Sequence, residues 1–468
     1  MLIKPKREEK LGGNYVFGAK TKCESNSVII KPIFNEFWHR FCCNSGSIEF
    51  SSVKDFTFKV GKVNTLPAPQ SGFVLEVTKE GISLSASDEK NLIYGFFALL
   101  ERIRPISTKK GEESFSIECC KVNDDAKVKV RMLHLCVFPE TPLSFLKKTL
   151  RTAAFSRYTH VIIEFWGMLK FDCLKELSWK EGYSKEQIKP ILEEAKELGL
   201  ELVPMFNHWG HAAGASVSIG KHVVLDQNLS LAPLFSETGW EWNISNPDVV
   251  QLQDDIRREL IELCGNGEFF HIGCDEAYSA KTEEDFISVV TYINSVVEKL
   301  EKQGRKTIMW GDMLLHKDVI NNKTENSYYL LSPSKEMQEI LMEKLSRSVI
   351  IADWQYNAIN YPLETSIYFK EKGFRVLSCP WDRNNANLIV TASTIKENNL
   401  MGVMHTTWNT LETMWGMMRL VNSAVINWTE DSECGNLDQM RIELATVMRK
   451  IDFPDGEYLN SGWRRNFL

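Results

Sequence analysis

Two adjacent acidic residues, Asp275 and Glu276, directly follow the apolar run FFHIGC. Cleavage of a glycosidic bond needs one carboxyl group that protonates the leaving oxygen and a second group that stabilises positive charge at the sugar carbon. Neighbouring residues lie too close together to flank one bond from opposite faces as acid and nucleophile. The pair therefore favours substrate-assisted catalysis, in which a 2-acetamido oxygen of the sugar attacks while Asp275 holds and polarises it. The alternative is an exposed Asp-Glu pair that begins a helix, where acidic side chains favour the dipole.

Tryptophans stand at the ends of several other apolar runs. Trp310, Trp354 and Trp408 lie at or just after the ends of three separate runs, and Trp381 follows a fourth. A single tryptophan is usually a core residue. Several that converge at one place predict a sugar-binding site, because indole faces complement the apolar faces of sugar rings.

The histidines suggest a second kind of chemistry. The segment from Asn207 to His211 carries two of them, and together with His271 they could indicate a metal site. The spacing is loose for metal ligands and no second carboxylate cluster accompanies it, so we predict neither a metal nor a cofactor. His134 and His405 lie within apolar runs and are interpreted as core or supporting residues.

The elements that would position these residues alternate along the chain. From Lys127 onward, short apolar runs alternate with amphipathic helical patterns, which is typical of repeated βα units. Ser184 and Gln187 form a capping box ahead of one such helix, which reaches Leu198. Eight units predict an α/β fold, a TIM (β/α)8 barrel with enlarged loops, whose active site lies where the strands end. The predicted strands are VRMLHLCV, HVIIEFW, LELVPMF, FFHIGC, KTIMW, SVIIADW, RVLSCP and MGVMHTTW.

The first part of the chain has a different pattern. Between residues 27 and 63 the runs SVIIKPIF and FTFKVGKV predict strands, and FVLEVTKEGISLSAS predicts a hairpin that turns at 79–81. Ser87 is predicted to cap a helix over 88–103. We therefore expect a small N-terminal α+β domain over residues 1–120 and the barrel over residues 121–468. The polar stretch LERIRPISTKKGEESF is predicted to separate or loosely link them.

Composition limits the partners. The chain of 468 residues has 62 acidic and 55 basic side chains, a net charge of -7, and no basic runs, so nucleic acid is not expected. No apolar stretch approaches the ~20 residues that cross a bilayer, so no membrane contact is expected. Eleven cysteines without a CxxC spacing favour free thiols in a reducing compartment. We therefore predict a cytoplasmic protein, with a removed signal peptide as the alternative.

Taken together, these residues resemble glycoside hydrolase family 20, the β-N-acetylhexosaminidases. His271 to Glu276 matches the family's His-x-Gly-x-Asp-Glu segment at every fixed position, and the run FVLEVTKEGISLSASDEKNLIYGFFALLERI is similar to the end of its N-terminal domain. The resemblance implies a retaining exo-enzyme that removes terminal N-acetylglucosamine or N-acetylgalactosamine from oligosaccharides or glycoconjugates. It also implies that Asp275 orients the acetamido group and that Glu276 acts as general acid and then as base.

The resemblance also suggests residues that bind the sugar. Arg131 stands where the family has an arginine that grips sugar hydroxyls. His211, in Trp209-Gly210-His211, stands where the family typically has Pro-Gly-His. The tryptophans expected to wall the acetamido pocket and the underside of the sugar are Trp310, Trp354 and Trp408.

Three departures from the family pattern place substrate choice in question. Glu164-Phe165-Trp166-Gly167 replaces a His-x-x-Asp-Asp type run, so a familiar aspartate is missing or replaced by Glu164. Trp408-Asn409-Thr410 replaces Trp-x-Glu. Pro380-Trp381-Asp382 replaces Tyr-x-Asp, which leaves Asp382 as a hydroxyl ligand. The pattern is closer to divergent members similar to hexosaminidase D. The choice between the two sugars, the linkage and the oligomeric state stay open.

Three alternative functions remain at this point. One is a catalytically silent carbohydrate-binding barrel. Another is a barrel hydrolase that uses two carboxylates from different strands without the acetamido group. The last is a metal-dependent hydrolase built on the histidines. Hydrolysis of an N-acetylglucosaminide separates the first from an enzyme, and activity on plain glucosides or galactosides would favour the second.

Overall fold

The computed structural model describes most of the chain. The described residues are 2–25, 27, 30–50, 56–60, 71–107, 109–138, 141–165, 167–213, 225, 228–318, 330–381, 383–408, 414–429 and 437–452. No helix within these ranges is long and apolar enough to cross a membrane. The cysteines within them are free thiols, as the sequence predicts.

The N-terminal part of the chain forms an open mixed sheet with two helices. Its elements in chain order are β1 (Arg7–Gly18), β2 (Lys20–Ser25), α1 (Ile30–Phe41), β3 (Ser47–Phe50), β4 (Phe56–Val60), β5 (Phe73–Val77), β6 (Ile82–Ala86), α2 (Glu89–Leu100), β7 (Arg104–Ser107) and β8 (Ser114–Asp124). The strand order is β1-β8-β5-β6-β4-β2-β3, and β7 also pairs with β8. Helix α2 packs against β5 and β6, and its apolar side chains are buried.

Two local predictions in this region are confirmed. Strands β5 and β6 pair antiparallel, and the turn between them closes with a hydrogen bond from the amide of Thr78 to the carbonyl of Gly81. The predicted strand FTFKVGKV begins at Phe56 and forms β4 as far as Val60. The hairpin depends on contacts between near neighbours, which the local sequence specifies well, whereas β4 pairs with β2 and β6, which are distant in the chain.

Two other local predictions in the N-terminal part of the chain are wrong. The run SVIIKPIF was expected to be a strand, but Ile30–Phe41 forms helix α1. Its buried side chains Ile33, Phe37 and Phe41 recur every four residues, so burial of that helical face overrides the β-branched composition. The predicted cap of α2 is also displaced by one residue, because the Asp88 side chain accepts the hydrogen bond from the amide of Asn91, and the helix ends at Leu100.

The rest of the described chain forms the predicted barrel. Its eight parallel strands close in the order β10-β11-β12-β13-β14-β15-β16-β9. The strands and helices in chain order are β9 (Val130–Val137), α3 (Leu143–Phe155), β10 (His160–Phe165), α4 (Lys185–Glu197), β11 (Glu201–Met205), α5 (Pro247–Cys264), β12 (Phe269–His271), α6 (Glu283–Lys302), β13 (Lys306–Trp310), α7 (Lys335–Lys344), β14 (Ile350–Trp354), α8 (Glu364–Glu371), β15 (Arg375–Cys379), α9 (Asn385–Glu397), β16 (Gly402–His405), α10 (Met414–Trp428) and α11 (Leu437–Ile451). The capping box of Ser184 and Gln187 at the start of α4 is present.

A buried ion pair lies at the joint between the two parts of the chain. The predicted polar linker includes β7 and the first two residues of β8, and the expected boundary at 120/121 falls within β8. At the end of that strand, Asp124 is fully buried and its Oδ2 atom accepts hydrogen bonds from Arg157 Nη1 at 3.0 Å and Trp428 Nε1 at 2.9 Å. A buried carboxylate needs such partners, so this contact ties the sheet to the barrel.

Side chains that point inward fill the barrel. Strand residues alternate in direction, so every second residue contributes to the interior. The buried interior residues are Met132, Ile162, Val203, Met205, Phe269, Ile308, Trp310, Ile350, Ala352, Leu377, Cys379 and Met404. Trp354 and Trp408 pack on this cluster and are only partly buried. Trp354 is the last residue of β14 and Trp408 follows β16, so both lie at the carboxyl-terminal end of the strands, where a TIM barrel holds its active site.

Candidate active site

Asp275 and Glu276 lie on a sharply turned segment that follows β12. Gly273, Cys274 and Glu276 all have positive φ angles, of 66°, 70° and 47°. Such angles are costly for residues other than glycine and persist where the surrounding structure enforces them. A side chain at Gly273 would meet Asn207 Oδ1 at 1.7 Å, so only glycine fits there. The turn therefore places the successive carboxylates of Asp275 and Glu276 in environments that differ in burial and in hydrogen-bond partners.

Asp275 is the buried member of the pair. Its Oδ1 atom accepts a hydrogen bond of 3.2 Å from Asn207 Nδ2, and the residue is 3% exposed. The backbone of Gly210 approaches closely, since a Cβ atom on Gly210 would lie 2.0 Å from the carbonyl oxygen of Asp275. The segment after β11 therefore fixes both the side chain and the main chain of Asp275.

Glu276 is the more exposed member. Its side chain is 26% exposed, and its Oε2 atom lies 2.6 Å from Nε2 of His211. The same Nε2 atom lies 3.5 Å from Oδ2 of Asp275. The ring of His211 packs against Trp240 with centroids 4.4 Å apart. His211 thus lies with the carboxylate pair, and its predicted contact with the substrate stays a prediction.

A third carboxyl group, that of Asp312, holds the main chain of the turn at Glu276. Its Oδ2 atom accepts a hydrogen bond of 3.0 Å from the amide of Glu276, and its Oδ1 atom accepts one of 3.1 Å from Trp354 Nε1. Burial, and then the charge of the neighbouring Asp275, raise the pKa of Asp312 well above its usual value. Asp312 was not among the residues predicted from the sequence, although its position just after β13 was a signal for it.

The aromatic residues form a cluster beside the carboxylates. Trp408 donates a hydrogen bond of 2.6 Å from Nε1 to the hydroxyl of Tyr356, and the ring of Tyr356 lies 5.1 Å from Trp354 and 5.5 Å from Trp381. Burial raises the pKa of Tyr356, so this hydroxyl stays protonated. Trp310 is fully buried and packs beneath Trp408 with centroids 5.5 Å apart. Trp354 and Trp408 are therefore placed to contact a ligand, while Trp310 supports them.

Arg131 does not lie in this cluster, and its predicted role is corrected. It is the second residue of β9, so about 20 Å of strand separate it from the carboxyl-terminal end. Its guanidinium donates hydrogen bonds to the carbonyl oxygens of Val128, Lys129 and Arg157. It also stacks on Trp428 at 4.9 Å. Arg131 is a structural residue at the opposite end of the barrel. The other predicted hydroxyl ligand, Asp382, lies outside the described residues.

Glu164 lies in the barrel interior below the aromatic cluster. Its Oε2 atom is 3.1 Å from His134 Nε2 and 3.6 Å from Cys136 Sγ. The ring of His134 packs on Trp408 with centroids 4.6 Å apart. His134 is therefore a supporting residue, as predicted, and Glu164 contacts its ring. By residue type, His134, Cys136 and Glu164 form one group that could hold a cation, and His211, Asp275 and Glu276 form another.

His208, His271 and His405 make contacts away from the carboxylate pair. His208 is buried with its Nε2 atom 2.6 Å from Arg257 Nη1, and burial lowers its pKa well below the usual value. His405 contacts the hydroxyl of Tyr158 at 2.9 Å through Nδ1. His271 packs on Trp310, with centroids 4.6 Å apart. The metal site considered from Asn207–His211 and His271 is therefore not assembled by these residues.

Glu241 holds the segment that follows the carboxylates. It is buried, and its Oε1 atom accepts hydrogen bonds from the amides of Tyr278 at 2.6 Å and Ser279 at 2.9 Å. Beside it, Trp240 Nε1 donates a hydrogen bond of 2.6 Å to the carbonyl of Glu276. Both residues were missed in the sequence, because only the folded loop after β11 brings them to the end of β12.

This site combines a held carboxylate, a partly exposed carboxyl group bonded to an imidazole, and an aromatic cluster at the mouth of a TIM barrel. Such a site can donate a proton while stabilising positive charge nearby. The fold and the site define a glycoside hydrolase.

The comparison with family models agrees. The model described as glycosyl hydrolase family 20, catalytic domain, matches residues 163–421, which is more than half of the chain. The chain belongs to glycosyl hydrolase family 20.

Individual relatives are distant. Hexosaminidase D of Bos taurus is 21% identical over 268 residues, which cover 53% of this chain and 75% of that protein. Lacto-N-biosidase of Bifidobacterium bifidum is 18% identical over 310 residues, which cover 62% of this chain but only 27% of that protein. The crystal structure of the exo β-N-acetylglucosaminidase from Vibrio harveyi superimposes with a TM-score of 0.73 at 14% identity, covering 97% of this chain and 77% of that one. This structural likeness shows that the fold is shared.

Proposed function

We propose that this chain is a retaining exo-β-N-acetylhexosaminidase that hydrolyses terminal N-acetylglucosamine or N-acetylgalactosamine from glycans by substrate-assisted catalysis. The observation that carries the proposal is the unequal setting of the two carboxylates. Asp275 is buried and held by Asn207, whereas Glu276 is partly exposed and bonded to His211. The buried group suits a fixed electrostatic role, and the exposed one suits proton transfer.

In the first step, the acetamido oxygen of the substrate attacks the anomeric carbon. Glu276 gives its proton to the glycosidic oxygen as the bond to the leaving group breaks. Asp275 accepts a hydrogen bond from the acetamido N–H and stabilises the positive charge that develops on the cyclised oxazolinium. Asn207 keeps Asp275 in place during this change, which lowers the reorganisation that the step requires.

In the second step, a water molecule attacks the anomeric carbon. Glu276, now a carboxylate, takes the proton of that water, and the ring opens to restore the acetamido group. Two inversions at the same carbon give net retention of configuration. His211 contacts both carboxylates and can keep Glu276 oriented while its charge changes.

The aromatic cluster supports the same substrate. Trp354, Tyr356 and Trp408 present partly exposed aromatic surface, which matches the apolar face of a sugar and the methyl of an acetamido group. The names of the relatives also agree with this substrate, since one is a hexosaminidase and another an exo β-N-acetylglucosaminidase. A silent binding barrel is disfavoured because the proton donor and its partners are present together.

The experiment that tests the proposal compares aryl glycosides that differ only at C2 and C4. We expect hydrolysis of the 2-acetamido substrates and a rate at least about a thousandfold lower on the 2-hydroxyl glucoside and galactoside, because these lack the internal nucleophile. Comparison of the two C4 epimers ranks N-acetylglucosamine against N-acetylgalactosamine. Similar rates with and without the acetamido group would contradict substrate assistance.

A further inference from the structure

Tyr278 is an exposed aromatic residue beside the proposed general acid. It follows Glu276 by two residues, and 42% of its surface is accessible. Nothing in the proposed mechanism uses its ring. Single exposed aromatic residues are common and carry no meaning alone. Tyr278 differs because Glu241 holds its main chain and Trp240 holds its ring in a defined position relative to Glu276.

The main chain at Tyr278 is held by a buried carboxylate. Glu241 Oε1 accepts hydrogen bonds from the amides of Tyr278 and Ser279, while Glu241 Oε2 accepts one of 2.9 Å from the hydroxyl of Ser236. The loop that carries Glu241 is itself paired with the segment before it, through the amide of Ala212 and the carbonyl of Trp240 at 2.8 Å. A ligand that contacts Tyr278 would therefore meet a preordered surface, which reduces the entropy lost on binding.

The ring orientation is set by Trp240. The rings of Trp240 and Tyr278 are stacked, with centroids 6.4 Å apart and planes inclined by 20°. The same indole donates its N–H to the carbonyl of Glu276 and packs against His211. One side chain therefore fixes Tyr278 relative to both the general acid and its histidine partner.

In the proposed reaction, Tyr278 lies on the leaving-group side of the scissile bond. In the proposed reaction, the terminal sugar lies between Glu276 and the aromatic residues that follow β14 and β16. The bond that breaks ends at the oxygen protonated by Glu276, so the leaving group extends away from those strands. Tyr278 lies two residues after Glu276 on the segment that follows β12, and Trp240, after β11, bonds to the carbonyl of Glu276, so both lie beside the departing group.

We propose that Tyr278, backed by Trp240, is a stacking platform for the sugar ring on the leaving-group side of the scissile bond. The inference rests on the proposed function and specifies its substrate class: β-linked oligosaccharides in which the terminal N-acetylhexosamine is attached to another sugar ring. A pyranose presents an apolar face of C–H groups that an aromatic ring can cover. A small aglycone has no such face and gains nothing from the platform.

The test compares two substrates with the same terminal sugar. One is the β-1,4-linked disaccharide of N-acetylglucosamine, and the other is the β-fluoride of N-acetylglucosamine, which has no ring on the leaving-group side. We expect Tyr278→Ala to lower kcat/KM on the disaccharide by roughly tenfold, the size expected for loss of one aromatic stacking contact, and on the fluoride by less than about twofold. Tyr278→Phe should keep both rates, because it retains the ring.

Ile106→Ala is the matched control, since Ile106 is an exposed apolar residue in β7 of the N-terminal sheet. It should change neither rate. Equal losses of Tyr278→Ala on both substrates would mean that the residue only supports Glu276, and unchanged rates would mean that no platform exists. Either result overturns the inference. Cleavage of the fluoride but not of the disaccharide by the wild type overturns the substrate class alone, whereas failure on both overturns the proposed function and this inference with it.

Discussion

His211 places its Nε2 atom 2.6 Å from Oε2 of Glu276. The same atom is 3.5 Å from Oδ2 of Asp275, so one imidazole contacts both members of the carboxylate pair. The backbone of His211 has a positive φ angle, and the ring of Trp240 packs against its imidazole. Both features restrict the movement of His211. The shorter contact is to Glu276, so His211 orients the proposed proton donor more directly than it orients Asp275.

Glu276→Gln should lose most activity on natural glycans but keep more on substrates with an acidic phenol leaving group. A phenolate leaves with little protonation, so loss of the proton donor matters less. Steady-state rates on a disaccharide and on a dinitrophenyl glycoside measure the difference. Equal loss on both substrates would rule out the assignment of Glu276 as the acid.

Asp275→Asn should reduce turnover by roughly a hundredfold or more, the scale expected when a positioned electrostatic partner is removed from a closed site. Substrate binding should weaken far less. A thiazoline that mimics the cyclised intermediate should inhibit the wild type strongly and the variant poorly, because it copies a species that exists only on this path.

A trapping experiment serves as the control for Asp275. If a 2-fluoro sugar labelled a carboxylate and the thiazoline had no effect, an enzymic nucleophile would be at work. The role assigned to Asp275 would then be wrong.

Gly210→Ala should reduce activity by about a hundredfold although residue 210 does not take part in the chemistry. The new Cβ atom would lie 2.0 Å from the carbonyl oxygen of Asp275, so the carboxylate pair must shift, and displacements near 1 Å have effects of this size. Gly18→Ala is the matched control, because its nearest neighbour is a carbonyl oxygen at 3.9 Å. If Gly210→Ala kept full activity, the close approach would have no role in positioning Asp275.

His405 should make stability depend on pH. Burial, and then the charge of His134, lower the pKa of His405 to about 3, whereas an unfolded histidine titrates near 6.5. The unfolded state therefore binds more protons between these values. The free energy of unfolding is highest above about pH 6.5 and falls as the pH is lowered toward 3, by up to about 1.4 kcal/mol per pH unit.

Urea denaturation at pH 7.5, 5.5 and 4.5 measures this effect. His405→Asn removes the titrating group and can keep a donor to the hydroxyl of Tyr158, so its unfolding free energy should fall less steeply over the same range. Parallel pH profiles for the two proteins would show that His405 is not responsible.

The sequence by itself determined the elements whose signals are local. The eight strands, the capping box at Ser184 and the hairpin at 79–81 each depend on residues within a few positions of one another. Asp275 and Glu276 were identified for the same reason, since adjacent carboxylates at the end of an apolar run form a complete local pattern.

Only the tertiary structure decided which other residues join them. Asp312, Tyr356 and Trp240 come from separate loops, and the closed barrel brings them to Glu276 and Trp408. Burial against the rest of the protein makes Ile30–Phe41 a helix despite its β-branched residues. Arg131 was assigned to the sugar from the family resemblance although it stands at the start of its strand, and the structure shows its guanidinium bonded to carbonyl oxygens at that end. Contacts between residues distant in the chain determine which side chains are buried, and burial determines the free-energy cost of a charge. A single sequence therefore does not determine which charged residues join the site.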